Sequence, residues 1–132
     1  MSDFDDKAAE WDSPEHVERA RQLADSIREH VPLTAGMHAI DIGAGTGLYT
    51  HLFAEATGPA GWVYAVEING RFLEHINARA RQMGQGNITP VLCREDAVGL
   101  PPDSIDLAFV CDTYHHFEFP QGTMASIVRA LK

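Results

Sequence analysis

The sequence predicts an α/β fold: a parallel β-sheet with helices packed on its faces. Three observations carry that expectation. Short apolar runs near residues 37–42, 62–67, 88–93 and 105–111 alternate with stretches whose apolar residues recur every three or four positions. Strands that alternate with helices imply parallel pairing through right-handed crossovers. A glycine-rich turn, Asp41-Ile42-Gly43-Ala44-Gly45-Thr46-Gly47, joins the first apolar run to the first helical pattern after it, which is where α/β folds bind nucleotides.

Ser13-Pro14 suits an N-cap followed by proline at the first helical position. Val17, Ala20, Ala24, Ile27 and Val31 then mark one face of a helix ending before Pro32. Strand one covers about Met37 to Ile42. A helix from near Thr46 turns Leu48, Leu52, Phe53 and Ala56 inward, and Gly58-Pro59-Ala60-Gly61 is a turn. Strand two, Trp62 to Glu67, is short and apolar, as a strand covered on both faces should be. The next helix carries Phe72, Leu73, Ile76, Ala80 and Met83, and Gly84 and Gly86 end it. Strand three covers Ile88 to Cys93, and Pro90 restricts it to pairing on one side. A short helix and the loop Leu100-Pro101-Pro102-Asp103 lead to strand four, Ile105 to Cys111. The last helix starts near Phe119-Pro120-Gln121 with Met124, Ile127, Val128 and Leu131 inward. The expected architecture is a Rossmann-like parallel sheet over residues 33–132 behind a helical N-terminal extension, residues 1–32.

In such a sheet the ligand lies beyond the carboxyl ends of the strands. Asp41, Glu67, Asp96 and Cys111-Asp112 fall there, so every strand end carries an acid or adjoins one. Gly43, Gly45 and Gly47 let the backbone turn sharply and a ligand approach closely. The spacing G-x-G-x-G differs from the dinucleotide fingerprint G-x-G-x-x-G, and Asp41 would repel a pyrophosphate while suiting hydroxyls or a cationic amine. Glu67 can accept from both hydroxyls of a ribose, a device common to several nucleoside-binding folds.

The stretch Asp41 to Gly47 resembles motif I, (D/E)-x-G-x-G-x-G, of the class I S-adenosylmethionine (SAM) methyltransferases. The resemblance extends over essentially the whole chain and implies SAM as cofactor. It assigns Asp41, Gly43, Ala44, Gly45, Gly47, Glu67 and Ile68 to the cofactor site, with Glu67 at the ribose hydroxyls. Arg94-Glu95-Asp96-Ala97 resembles the turn in which an aspartate accepts from the adenine amino group and the next backbone N–H meets the ring; Asp96 also suits a helix N-cap. Asp106 to Phe117 resembles motif IV of the small-molecule members, where carbonyls such as that of Cys111 accept from the methionine amine and the following segment faces the acceptor. His116, His115 and Asp112 are the candidate general bases there. Cys-Asp-Thr-Tyr replaces the (N/D/S)-P-P-(Y/F) of amine methyltransferases, which argues against a DNA base or a glutamine amide as acceptor. Trp11 resembles an aromatic that closes over the cofactor, and equally suits an anchor for the extension.

Relatives continue past the last helix with a Pro-Gly-Gly turn, a fifth strand and an antiparallel pair. The resemblance therefore implies strand order 3-2-1-4 here, an exposed fourth strand, and a chain that is the N-terminal part of a longer enzyme or one that dimerises across that edge.

Composition narrows the partners. The 132 residues suit one domain. A net charge of −9, without a basic cluster, excludes a broad nucleic-acid footprint. No run is apolar enough to span a bilayer, and the acidic N-terminus lacks a signal peptide's apolar core. Cys93 and Cys111 sit inside apolar runs, as buried free thiols in a reducing cytoplasm do. His115, His116 and Glu118 are too close in sequence to share a metal ion, so no metal site is expected. The leading expectation is a cytoplasmic SAM-dependent methyltransferase acting on a small molecule. The alternatives are a SAM-binding domain without catalysis and, less in keeping with Asp41 and the glycine spacing, an NAD-dependent oxidoreductase.

Overall fold

Apolar runs become strands where neighbours can cover both faces, and β1 (His38–Ile42) is the clearest case, with four of its five residues buried. It pairs in parallel with β2 (Trp62–Glu67) on one side and β4 (Leu107–Val110) on the other. β2 pairs in turn with β3 (Ile88–Leu92), so the order is β3-β2-β1-β4. The computed structural model describes residue 10 and residues 13–30, 33–111 and 113–132. Pro90 is accommodated as expected, because β3 is an edge strand paired with β2 alone.

Side chains alternate across the sheet. Ile40, Ile42 and Val66 join Ile105, Ile127 and Ala130 in one core, under the last helix. Ala39 and Val63 meet Phe53, Ala54 and Leu33 on the opposite face. Ala65 meets Leu73 and Ile76 there. Phe53 packs edge-on against Phe109 of β4, ring centroids 4.9 Å apart.

Among the described residues four α-helices flank the sheet: α1 (Pro14–His30), α2 (Leu48–Thr57), α3 (Gly70–Met83) and α4 (Pro120–Ala130). Arg21 of α1 meets Glu55 of α2 at 3.7 Å. α3 follows expectation: Asn69 caps it by accepting from the Arg71 N–H at 3.0 Å, Leu73, Ile76 and Ala80 face inward, and Gly84 ends it in the left-handed region. Met83 departs, with 48% of its surface exposed.

α2 and α4 are rotated from the faces expected of them. In α2 the buried set is Thr50, His51, Phe53, Ala54 and Thr57, while Leu48, Leu52 and Ala56 are half-buried. The polar members can turn inward because each finds a partner: Thr50 donates to Asp41, the Thr57 hydroxyl to the Phe53 carbonyl, and the His51 ring meets Gln85 Oε1. In α4, Thr123, Ser126, Ile127 and Ala130 are buried, while Met124 sits at the margin and Val128 is 65% exposed. Ser126 turns inward because its Oγ accepts from the Val98 N–H at 3.0 Å and donates to the Thr123 carbonyl at 2.7 Å.

Two expectations fail in the second half. No short helix separates β3 from β4: residues 94–104 are bends and a turn, where Gly99 has φ 77° and Pro101 and Pro102 cannot extend a helix. A 3₁₀ turn, Tyr114–His116, follows β4 instead. β4 is shorter than expected, because the fully buried Ile105 leaves the ladder to bridge Leu131. Among the described residues no helix is long and apolar enough to cross a membrane.

Candidate functional site at the carboxyl ends of the strands

The chain leaves β1 through a turn tied to its neighbour. The Gly43 and Ala44 N–H groups donate to the Val66 carbonyl at 2.8 and 3.2 Å, the Gly45 N–H to Glu67 Oε1 at 3.2 Å. Glu67 Oε2 accepts from the Asn69 N–H at 2.8 Å. Glu67 thus clamps the glycine turn to the start of α3. Each of its oxygens keeps accepting capacity for a ligand hydroxyl.

Two of the glycines are required sterically. Gly43 has φ +69°, and a Cβ there would overlap the Thr113 side chain. Gly47 has φ +88°, and a Cβ there would lie 2.8 Å from Ile76 Cγ1 and 3.1 Å from His51 Nε2. Gly47 is buried and acts on packing beneath the turn, whereas Gly43, Ala44 and Gly45 face the cleft.

Asp41 is only 3% exposed and accepts from Thr50 Oγ1 at 2.7 Å. Burial pushes its carboxyl up to about 7; the Thr50 hydrogen bond opposes the shift and the Glu67 charge adds to it. A buried acid held near neutrality gains most from a cationic ligand group.

The cleft has two lobes that meet at Gly43 and Thr113. The first, a cavity of about 600 Å³, holds Asp41, the glycine turn and Cys111 on its floor, with Tyr49 and Phe72 also lining it. His16, Arg19 and Ala20 of α1 complete it. The second, about 390 Å³, is lined by Glu67, Ile68, Cys93, Glu95, Ala97 and His116 among others. Both volumes fall in the range usual for small-molecule sites.

Of the residues singled out in the sequence, Asp41, Gly43, Ala44, Gly45 and Cys111 meet in the first lobe, and Glu67, Ile68, Ala97 and His116 in the second. Asp96 lies beside the second lobe with an exposed side chain, 3.8 Å from Arg94 Nε; Glu95 is the acid that lines the lobe. Trp11 and Asp112 lie outside the described residues, as does the side chain of His115. Cys93 and Cys111 are half-buried just past their strands and line the cleft, where a thiol inside the core was expected. Burial, then the Glu67 charge, pushes the Cys93 thiol up, away from thiolate chemistry. Sequence reasoning missed Thr113, whose hydroxyl donates to the Cys111 carbonyl at 2.9 Å, and the α1 pair His16 and Arg19. The pair's three-residue spacing on one helix face was the available signal.

The donor set fits SAM. A buried acid suits the ammonium at one end, an anchored carboxylate suits the ribose hydroxyls, and the glycine turn lies between them.

Residues 39–132 match the methyltransferase domain family, and the chain belongs to that family. The ubiquinone/menaquinone biosynthesis C-methyltransferase UbiE of Burkholderia cenocepacia is 32% identical over 98 residues, which cover 74% of this chain and 40% of that protein. The chain thus spans less than half the length of the curated relatives it matches. Its fold is shared by a SAM-dependent methyltransferase from Aquifex aeolicus, with TM-score 0.85 and 22% identity over 100% of this chain and 69% of that one. A SAM-dependent O-methyltransferase from Thermotoga maritima matches with TM-score 0.66 and 21% identity, covering 84% and 40%.

Proposed function

We propose that this chain binds SAM across the carboxyl ends of its strands and is the cofactor-binding part of a methyltransferase for a small-molecule acceptor. The observation that carries this is the pairing of a buried Asp41 with a Glu67 carboxylate tied to the Gly45 N–H, in one cleft. Asp41 and the Cys111 carbonyl would hold the methionine ammonium. Glu67 would accept from the ribose hydroxyls, and Ile68 and Ala97 would flank the adenine, with Asp96 at its amino edge. Bound SAM supplies an activated methyl on a sulfonium. The chain's own contribution is to fix that methyl in line with the acceptor and to exclude water. His116 is the base to test first, with Asp112 and His115 behind it, and Trp11 and α1 would cover the cleft.

The UbiE relatives are C-methyltransferases of ubiquinone/menaquinone biosynthesis, which supports a quinone-type acceptor, and the aromatic lining of Tyr49 and Phe72 suits a planar apolar one. The test is transfer of labelled methyl from SAM to a panel containing quinols, phenols and amines, by the protein that contains this chain. Transfer to a quinol, with His116→Ala reducing turnover while binding of S-adenosylhomocysteine (SAH) is kept, is the expected result. Saturable SAH binding without transfer to any acceptor would instead favour a non-catalytic SAM-binding domain.

A further inference from the structure

Resting on the SAM reading, we infer that Arg19 of α1 holds the carboxylate of the cofactor's methionine end, so that α1 is part of the cofactor site. The cofactor's amino and carboxyl groups share one carbon, so an ammonium placed at Asp41 brings a carboxylate into the same lobe. Asp41 repels that carboxylate. The second lobe is acidic on balance, with Glu67, Glu95 and Glu118 lining it against Arg94, and the chain carries a net charge of −9.

Among the described residues, the basic side chains lining the first lobe are His16 and Arg19, one turn apart on the same face of α1. They are not equivalent. His16 Nδ1 is already shared between the Glu10 carbonyl and Ser13 Oγ, each at 3.0 Å. The planar guanidinium fork of Arg19 suits a carboxylate bidentately. Its neighbour Arg21 is engaged with Glu55 at 3.7 Å; among the described residues no carboxylate pairs with Arg19. The helix that presents it is fixed, because Ala20 and Ala24 are buried against the domain.

The test compares SAH with S-adenosyl-3-thiopropylamine, which keeps the ammonium and lacks the carboxylate, by calorimetry on wild type, Arg19→Met and Arg19→Lys. Arg19→Met should weaken SAH about 10- to 100-fold and the decarboxylated analogue less than about 2-fold, with Arg19→Lys recovering part of the loss. Because Arg19 is exposed, the variants should keep the wild-type melting temperature. Equal weakening of both ligands would make Arg19 a structural residue of α1 and overturn the inference. SAH binding unchanged by Arg19→Met would overturn it while leaving the SAM reading intact. Failure of folded wild type to bind SAH would overturn both.

Discussion

The ends of β1 and β2 and the ends of β3 and β4 build the two sides of the cleft differently. At the first pair the acids are fixed before any ligand arrives: Asp41 is 3% and Glu67 9% exposed, and each is hydrogen-bonded to an element other than its own strand. At the second pair, Asp96 and His116 have exposed side chains. Position in the sheet explains the contrast. β1 and β2 have a strand on either side, so their ends are held in register; among the described residues β3 and β4 pair with one strand each. The loop after β3 depends instead on α4, through Ser126 to the Val98 N–H, Thr123 to the Glu95 carbonyl, and Gly122 packed against the Asp96 carbonyl. The central strands thus supply a rigid half, and the edge strands a half set by side-chain props.

The sharpest way to break this comparison is Gly43→Ala. The new methyl would overlap Thr113 and sit at φ +69°, so about 2–4 kcal/mol of stability and at least about 100-fold in SAH affinity should be lost. The double variant with Thr113→Gly should recover the steric part, as thermal melts and calorimetry would show. Next is Glu67→Gln, which turns an amide donor toward the Gly45 or Asn69 N–H; SAH binding should weaken about 10- to 100-fold. If Glu67→Gln binds like wild type, the rigid half is not what holds the ribose.

Asp41 gives a pH signature. Its native carboxyl titrates near 7 against an ordinary 3.8, so between these values the native protein holds more protons than the unfolded chain. The associated stability is complete below about pH 4 and is lost as pH rises through about 7, by at most about 1.4 kcal/mol per pH unit. Asp41→Asn should remove that slope in melts between pH 5 and 8. The smallest effect is expected of Asp96→Ala. An exposed acid 3.8 Å from an exposed arginine contributes little, and SAH affinity should fall less than about 5-fold. A loss as large as that of Glu67→Gln would erase the contrast between the two halves.

The strands and the acids at their ends were legible because both follow from local pattern: apolar runs of strand length, a glycine turn, and a carboxylate where each run stops; the strand order came from the family resemblance. What was not legible depends on partners distant in sequence. Thr50 and His51 read as the polar side of α2, yet both turn inward because Asp41 and Gln85 receive them. Ser126 displaces Val128 from the inner face of α4 for the same reason. His16 and Arg19 were not singled out in the sequence, because their place in the cleft depends on how α1 packs against the rest of the domain.

The most direct test of the account is a titration of the folded chain with SAH, beside Asp41→Asn and Glu67→Gln and with NADH as the competing ligand. The account predicts saturable SAH binding that both variants weaken, and no comparable binding of NADH. SAH binding that neither variant changes, or tighter binding of NADH, would contradict it.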